Sequence, residues 1–567
     1  MTSARPLAAW SQALARAAGS FDGARAWRSA GMAVYVALAY GPVIVLFGAA
    51  AQLLVNSPAT AARLVPTART LPILMRSVAF AATVSMAAVA LAVLIVTASW
   101  GRHGGRALQM RWAVLALAGV PPYVHALAWS SLMTLLGAWS MGGQLGWLGV
   151  RIQFTGLSAA AWVSTLAYLP LAVVLAMMAC EHVPRSLREV AQLDRSDGAV
   201  LARIVLPLAV PALVMAGALL FLITILDYSV TSLYQVTLYA LEVFVAFSQS
   251  NEAAAALLSA VPLMVVCGVV VAAMARALPR AMMAPDRGTV GGGWWPRWPV
   301  PMRAAQALAV GLLVAATGVP LFSLIRLASL STAALQTVVQ AGDEITYSLA
   351  VALSAAVLAL PPALAAASWM HARRPSAIAW FALCLPLAFP SSLIGIGLIT
   401  AFNTPFLPLH GTAIMPVLAV VARFAPLMAL VLFAQRVRLD ATLVDAARVL
   451  QGSTWHGWRR VVLPMMLPGV VAAASVGFVL TLGELGATLI VAPPGRATLT
   501  MRIYTYLHFG ASDSVAVLCL ILVVVALVGG VIAAVALGAV AGDRSAADAR
   551  PAGGERMVND ASRGLAP

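Results

Sequence analysis

The most chemically varied stretch of the chain is VDAARVLQGSTWHGWRRVVLP, residues 444–464, which lies in otherwise apolar surroundings. It carries an acid, three arginines, a histidine, two tryptophans and two glycines. VDAARVL predicts one short helix, Gly452 permits a turn, and the serine and threonine that follow can cap a second helix. Because proline is tolerated in a first helical turn, Pro464 predicts a change of axis into the next helix. The stretch therefore predicts a stiff elbow on a transmembrane helix, able to transmit force from a soluble partner.

A second stretch of the same kind occurs earlier in the chain. Residues 184–207, PRSLREVAQLDRSDGAVLARIVLP, also carry an acid, small residues, a glycine and a final Val-Leu-Pro. The likeness continues beyond each proline. Asp227 lies twenty residues after Pro207, and Glu484 lies at the same spacing after Pro464. One such loop could be an ordinary arginine-rich inner loop, but two at equivalent places favour a shared function.

The composition excludes several kinds of chemistry. All 35 basic residues are arginine, so the chain lacks the lysine of a Walker A loop. If ATP drives the protein, another subunit must bind the ATP. The sequence has no HExxH, GxSxG or carboxylate–histidine cluster, so we expect neither an enzyme, nor a metal site, nor a cofactor. The net charge of +16 lies mostly in loops between apolar runs, so no nucleic-acid partner is expected. The four cysteines are far apart and are expected to be buried and unreactive: Cys180, Cys267, Cys384 and Cys519.

Membrane-spanning helices must position these loops. Of the 567 residues, 62% are hydrophobic and 10% are charged, whereas soluble proteins are about 25% charged. Solid apolar runs of about 20 residues indicate helices and argue against a membrane β-barrel, whose strands alternate. We predict an all-α integral membrane protein with about twelve spans, at about 32–55, 77–100, 112–136, 158–180, 208–228, 254–276, 305–327, 347–370, 377–402, 412–434, 465–490 and 514–540.

The arginines indicate the orientation of these spans. With the N-terminus in the cytoplasm, the inner segments hold 27 arginines, and eight lie outside or within spans. Both termini are therefore expected to be cytoplasmic. The N-terminal arm is too long for a signal peptide, and its apolar spacing permits a helix on the membrane surface.

The two halves of the chain resemble each other. Residues 77–100 parallel residues 348–369, and TLYALEVF at 237–244 parallels TLTMRIY at 498–504. Because six spans is an even number, we expect two parallel six-helix repeats. The predicted division is a cytoplasmic N-terminal arm at 1–30, a first six-span unit at 31–277, a cytoplasmic linker at 278–303, a second six-span unit at 304–541 and a disordered cytoplasmic tail at 542–567.

The paired loops resemble the EAA loop of the permeases of binding-protein-dependent ABC importers. That loop reads Glu-Ala-Ala, three residues, Gly, nine residues, Ile, one residue and Leu-Pro. In the second loop the matching residues are Asp445, Ala446, Ala447, Val461, Leu463 and Pro464, with Gly452 one place past the glycine position. In the first loop they are Glu189, Val190, Ala191, Leu206 and Pro207, with Gly198 displaced and the spacing one residue short. GELGATLIVAPPGRATLTMRIYTYLHFG (483–510) and PSSLIGIGLI (390–399) add a likeness to fused iron(III)-type permeases.

The resemblance implies the type I ABC importer permease fold in a bacterial inner membrane, in contact with lipids. It implies two cytoplasmic ATP-binding subunits, one docked on each loop, and a periplasmic or lipid-anchored solute-binding protein. ATP binding would close the ATPases and swing the two halves from inward-facing to outward-facing. The implied solute is ferric iron or a similar small solute; thiamine, phosphonate, polyamine and sulfate importers of the same family are the alternatives.

Asp227 and Glu484 are the candidate pathway residues, because acids within a membrane are costly and often functional. Facing each other they would favour a cationic solute; alternatively, they cap helix ends or pair with Arg502 or Arg496. Arg423, near the middle of the tenth span, could pair with Glu484 or meet an anionic solute. Prolines interrupt the third and ninth spans of the chain, and broken spans often line a pathway.

Two other functions are compatible with the predicted spans. A 6+6 secondary transporter would share the parallel repeats and the cytoplasmic termini. It would need titratable side chains near the middle of its spans, where this sequence has almost none, and it would not need paired EAA-like loops. A non-transporting membrane scaffold is the remaining alternative.

Overall fold

The structure is a computed structural model of the chain. It describes residues 5–99, 114, 117–142, 154–181, 183, 185–250, 252–282, 296–328, 332–372, 376–404, 407–439, 441–450, 454–509 and 512–548. These residues are almost entirely helical, as the sequence predicts for an all-α integral membrane protein.

The helices of the first half are α1 (Arg5–Asn56), α2 (Thr70–Ser99), α3 (Pro122–Gly142), α4 (Gly156–Glu181), α5 (Arg185–Gln192), α6 (Asp197–Val200), α7 (Leu206–Leu226), α8 (Ser229–Leu233), α9 (Tyr239–Ser250) and α10 (Ala253–Met282). Those of the second half are α11 (Val300–Leu327), α12 (Thr332–Gln340), α13 (Gly342–Ala372), α14 (Ala377–Cys384), α15 (Ser391–Phe402), α16 (Ile414–Val437), α17 (Ala441–Leu450), α18 (Thr454–Gly457), α19 (Leu463–Leu482), α20 (Thr488–Val491), α21 (Leu499–Phe509) and α22 (Ser512–Asp548). A two-stranded antiparallel sheet pairs β1 (Asn403–Thr404) with β2 (Leu407–Pro408).

Within the described residues, ten helices are long and apolar enough to cross a membrane. An eleventh span is formed if α14 and α15 are counted together, since they are joined by a bend of 89° at Phe389-Pro390. This bend confirms that proline interrupts the predicted ninth span. The predicted third span begins in residues that lie partly outside the described part of the chain, so the total of twelve stays a prediction.

The helices pack closely because small residues lie where they cross. A Cβ atom on Gly31 of α1 would overlap the Cβ of Ala365 in α13. A Cβ on Gly397 of α15 would overlap the backbone carbonyl of Pro42 in α1. Since lipid tails are as apolar as leucine, close packing of this kind is a main source of helix association in membranes.

The first helix of each half packs against the other half. Helix α1 packs on α13, α15 and α16, and the Tyr35 hydroxyl donates a hydrogen bond of 2.7 Å to the Leu383 carbonyl. Helix α11 packs on α2, α3 and α4, and Gln306 Nε2 donates to Thr97 Oγ1 at 3.1 Å. The two halves are therefore interlocked, and neither is a separate body in space.

Both halves also carry the same hydrogen bond at matching places. The backbone N–H of Tyr239, the first residue of α9, donates to Ser77 Oγ in α2 at 2.9 Å. The backbone N–H of Leu499, the first residue of α21, donates to Ser348 Oγ in α13 at 2.6 Å. The paired segments are those whose sequences parallel each other.

Several helix ends differ from those predicted. Helices α7 and α19 end at Leu226 and Leu482, so Asp227 and Glu484 lie just beyond the spans that were expected to contain them. Helix α22 continues to Asp548, past the predicted start of the tail at 542; residues 549–567 lie outside the described part of the chain. All four cysteines are buried, as expected.

Candidate functional site: two elbows and an intramembrane charge cluster

The first elbow is built from three short helical elements. Helix α5 is followed by a turn, then α6, then a π-helical turn at Leu201–Val205 that leads directly into α7. The second elbow has the same order: α17, then α18, then a π-helical turn at Trp458–Val462 that leads into α19. The two polar loops of the sequence therefore fold alike.

The π-helical turns explain how the chain passes through the Leu-Pro pairs. In an α-helix, Pro207 and Pro464 would clash with the carbonyl four residues before them. In each elbow the residue before proline instead donates its N–H five residues back, from Leu206 to the Leu201 carbonyl and from Leu463 to the Trp458 carbonyl. Such wider turns relieve the clash and are frequent at functional sites. The prediction of a change of axis at Pro464 is therefore wrong, because the span Trp458–Leu482 runs through the proline as one helix.

Each elbow presents apolar side chains to its surroundings. On α5, Leu187 and Val190 are 44% and 65% exposed, and Leu193, in the turn that follows the helix, is 88% exposed. The three recur every third residue. On α17, Leu443 and Leu450 are 50% and 80% exposed. Because residues three and four apart lie on one face of a helix, each elbow offers a short apolar stripe.

The opposite face of the second elbow is packed against the protein. Val444 and Ala447 are buried, and a Cβ on Gly457 would lie 3.1 Å from the Ala447 carbonyl oxygen. The small residues of this loop therefore let α17 lie directly on α18. Asp445 and Ala446 lie on the exposed side of α17.

The first elbow is fastened by an acid that the sequence patterns did not single out. Asp197 Oδ1 accepts a hydrogen bond of 3.1 Å from Gln192 Nε2, which closes the turn between α5 and α6. Its Oδ2 accepts the backbone N–H of Arg297 at 2.6 Å, so the elbow is joined to the segment that leads into α11. Gly198 lies within α6 with nothing near it, and it does not form a left-handed turn.

The structure also shows the positions of the remaining elbow residues, apart from two that lie wholly or partly outside the described residues. Leu206 and Pro207 begin α7, Leu463 and Pro464 begin α19, Val190 is exposed, and Ala191 and Val461 are partly buried. The side chain of Glu189 and the whole of Gly452 lie outside the described residues.

Asp227 and Glu484 each hold the start of a short helix. Asp227 Oδ1 accepts the Ser229 N–H at 2.8 Å, and its Oδ2 accepts the Tyr168 hydroxyl at 3.3 Å. Glu484 Oε1 accepts the Ala487 N–H at 2.8 Å. The capping role considered for both acids is therefore present in the structure.

Glu484 also pairs with Arg423. Its Oε2 lies 2.9 Å from Arg423 Nε, and the carboxylate is only 6% exposed. This is the pairing anticipated for Arg423, and it replaces the alternatives Arg496 and Arg502. Because one charge is neutralised by the other, the pair can remain largely buried.

The two halves meet around this pair. A Cβ on Gly483 would lie 3.3 Å from Pro121, where α3 begins, and a Cβ on Gly486 would overlap the Ser391 hydroxyl, where α15 begins. Tyr228, next to Asp227, also borders the Cβ position of Gly486. It is within electrostatic range of Asp227, Glu484 and Arg423. Asp227, Glu484, Arg423, Tyr168 and Tyr228 thus form one charge cluster. No sequence pattern pointed to the two tyrosines, because their positions in the cluster depend on contacts between distant segments.

Comparison with known proteins identifies the family. The chain is 30% identical over 207 residues to the molybdenum transport system permease protein ModB of Haemophilus influenzae, covering 33% of this chain and 89% of that protein. It belongs to the permeases of binding-protein-dependent ABC importers. The permease is also 29% identical over 189 residues to the putative 2-aminoethylphosphonate transport system permease protein PhnV of Salmonella typhimurium, covering 33% of this chain and 71% of that one.

A third relative is named for another solute. The permease is 29% identical over 124 residues to a putative ferric transport system permease protein of Haemophilus influenzae, covering 22% of this chain and 19% of the relative. No family model and no solved structure matches the permease. Its apolar helices and its relatives together make it a multi-pass inner-membrane protein that works with an ATPase and a solute-binding protein.

Proposed function

We propose that this chain is a fused permease that forms the solute pathway of an ATP-driven importer and couples it to two separate ATPase subunits. The observation that carries the proposal is the pair of elbows with the same order of elements. Each is a short helix, a second short helix and a π-helical turn, rooted in a long membrane helix. Two elbows with the same order of elements suit two copies of one partner protein.

The apolar stripes favour a protein partner for the elbows. Leu193, in the turn after α5, and Leu450, at the end of α17, are 88% and 80% exposed and lie outside the membrane-spanning helices. Contiguous exposed apolar patches rimmed by polar residues are typical of protein–protein contacts. With the N-terminus in the cytoplasm, both elbows lie on the cytoplasmic side, where ATP is bound.

The two-unit arrangement is supported by the parallel details of the halves. Residues 31–277 and 304–541 each carry one elbow, and each carries the serine-to-backbone hydrogen bond of Ser77 or Ser348. The crossing of α1 and α11 between halves gives each unit contacts that would resist separation. We infer that 278–303 is the cytoplasmic linker, and that both termini are cytoplasmic.

We infer the transport cycle from the positions of the two elbows. Docked ATPases that close on ATP would bring the elbows together, and each elbow would turn the membrane helix in which it is rooted. The halves would then move from inward-facing to outward-facing, where a solute-binding protein delivers its cargo. The relatives are named for molybdenum, 2-aminoethylphosphonate and ferric transport, and these solutes, with the thiamine, polyamine and sulfate of related importers, are the candidates.

The test is a double charge reversal in the elbows. The variant Glu189→Arg with Asp445→Arg is reconstituted in proteoliposomes with the co-purified ATPase, and ATP hydrolysis stimulated by loaded binding protein is measured. We expect loss of ATPase association or of its stimulation. The matched control is Asp343→Arg, a charge reversal at an exposed acid in the first turn of α13, outside both elbows.

Two results would overturn the proposal. The first is an ATPase that never co-purifies with the wild-type permease, and the second is a double variant that behaves as wild type. In either case the elbows would not be the coupling points, and the 6+6 secondary transporter would become the better explanation.

A further inference from the structure

The carboxylates of the charge cluster are already occupied by protein donors. Asp227 accepts one bond from Ser229 N–H and one from the Tyr168 hydroxyl. Glu484 accepts one bond from Ala487 N–H and pairs with Arg423 through its other oxygen. Each of these carboxylate oxygens already has one donor, and the charge of Glu484 is balanced by Arg423. A cationic solute would therefore compete with these donors for the carboxylates.

The donors of the cluster, in contrast, are not fully used. Among the described residues, the Tyr228 hydroxyl is buried without a hydrogen-bond partner in a residue that is 4% exposed. The Nη1 atom of Arg423 is also buried without a partner. Since an unpaired buried donor costs free energy, two of them in one cluster point to an acceptor that binds there.

The Tyr228 ring lies at the start of a broken span. The Tyr228 ring carbon next to the hydroxyl-bearing carbon lies 3.4 Å from the position of a Cβ on Gly486, and the Ser391 hydroxyl borders the same position. Ser391 and Ser392 are the buried first residues of α15, a helix of 12 residues. The first N–H groups of a helix lack acceptors within it and favour negative charge.

We propose that Arg423, Tyr228 and the start of α15 form a binding site for a small oxyanion on the solute pathway. The oxyanion has the chemistry of phosphate, molybdate or a phosphonate. In this conformation the Glu484 carboxylate stands in for that anion. When the halves separate, an incoming oxyanion replaces Glu484 as the partner of Arg423 and takes hydrogen bonds from Tyr228. This inference rests on the proposed function and specifies its solute class, replacing the cation that two facing acids would have favoured.

Direct binding to the purified full-length chain in detergent tests this site. Sodium molybdate, sodium phosphate and methylphosphonate are titrated at low ionic strength, with spermidine as the cationic probe, and the shift in thermal unfolding gives the Kd. We expect at least one oxyanion to bind and spermidine not to bind. Arg423→Gln should abolish binding, and Tyr228→Phe should weaken it about tenfold, as expected for one hydrogen bond to a charged group.

The decisive variant is Glu484→Gln. Removing the stand-in carboxylate should tighten oxyanion binding about tenfold or more, an effect that a merely structural role of Glu484 would not produce. The control is Arg326→Gln, an exposed arginine at the end of α11 that should leave the Kd unchanged. Tyr228→Phe retains the ring and its packing, so it reports on the site even if Arg423→Gln does not fold.

Each contrary outcome overturns the inference. These are spermidine binding without oxyanion binding, no oxyanion binding by either wild type or Glu484→Gln, and Glu484→Gln binding no tighter than wild type. Failure of the proposed function gives a different result, because the ATPase would not co-purify while anion binding to the chain alone could still be measured.

Discussion

The carboxylate of Asp197 accepts the backbone N–H of Arg297 at 2.6 Å, although a hundred residues separate them in the chain. The first elbow is thereby tied to the segment that leads into α11. The second elbow contacts α1 through α18, so it too lies against the first helix of the other half. Each elbow therefore contacts both halves of the permease.

We predict that Asp197→Ala loosens the first elbow without unfolding the permease. The change removes two hydrogen bonds, to Gln192 and to Arg297, and should cost about 1 kcal/mol locally, since both lie near the surface. Hydrogen exchange should become faster over residues 185–207 and remain unchanged over 441–462. Asp194→Ala, in the exposed turn of the same elbow, is the control and should alter neither region. Equal exchange in both variants would show that the link to Arg297 does not hold the elbow.

Gly457 in the second elbow and Gly198 in the first should respond in opposite ways to replacement by alanine. A methyl group on Gly457 would lie 3.1 Å from the Ala447 carbonyl oxygen, whereas nothing lies within 4 Å of one on Gly198. Gly457→Ala should therefore push α17 away from α18 and reduce the stimulated ATPase rate several-fold. Gly198→Ala, in helical backbone, should be neutral or stabilise by up to about 1 kcal/mol. A normal ATPase rate in Gly457→Ala would mean that α17 tolerates displacement.

The sequence predicted the parts of this permease that depend on local pattern. Long apolar runs marked the membrane helices, and prolines marked the break between α14 and α15. The acid, the small residues and the Leu-Pro pair marked each elbow. These signals are local because a membrane helix satisfies all its backbone hydrogen bonds within itself.

Other features depended on contacts between distant segments, and the sequence could not specify them. The π-helical turns before Pro207 and Pro464 are one solution to a proline clash whose alternative, a kink, has the same local sequence. The unpaired Tyr228 hydroxyl becomes evident only where Gly486 and Ser391 meet it. Glu484 was predicted within a span, but its side chain caps Ala487 beyond the helix end.

We predict that Gly397→Ala destabilises the permease by separating α15 from α1. An added methyl group would overlap the Pro42 carbonyl oxygen, and a backbone atom cannot rotate away as a side chain can. Overpacking of this kind costs about 1–3 kcal/mol, more than the gain in helix propensity. Thermal unfolding in detergent should show a lower midpoint. Gly311→Ala, in open space on α11, should leave the midpoint unchanged or raise it. Equal midpoints for the two variants would contradict the close approach of α15 to α1.

The final prediction concerns Arg502, which joins α21 to α12 and α13. Its Nη1 lies 2.5 Å from Glu344 Oε1 and donates to the Gln340 carbonyl at 2.9 Å, and its Nη2 donates to the Tyr506 hydroxyl at 3.0 Å. The two charged side chains are 15% and 20% exposed. Because the pair is partly buried and shares a hydrogen-bond network, we expect a coupling energy of about 1–2 kcal/mol.

A double-mutant cycle with Arg502→Gln and Glu344→Gln, followed by reversible unfolding in SDS, measures this coupling. The matched control is the cycle for Arg63 and Glu252, whose atoms are 3.7 Å apart and whose side chains are 47% and 59% exposed. Solvent screens that pair, so its coupling should be about 0–0.5 kcal/mol. If the two cycles give the same value, burial does not strengthen the Arg502 pair, and α21 must be held on α13 by other contacts, such as the Leu499 hydrogen bond to Ser348.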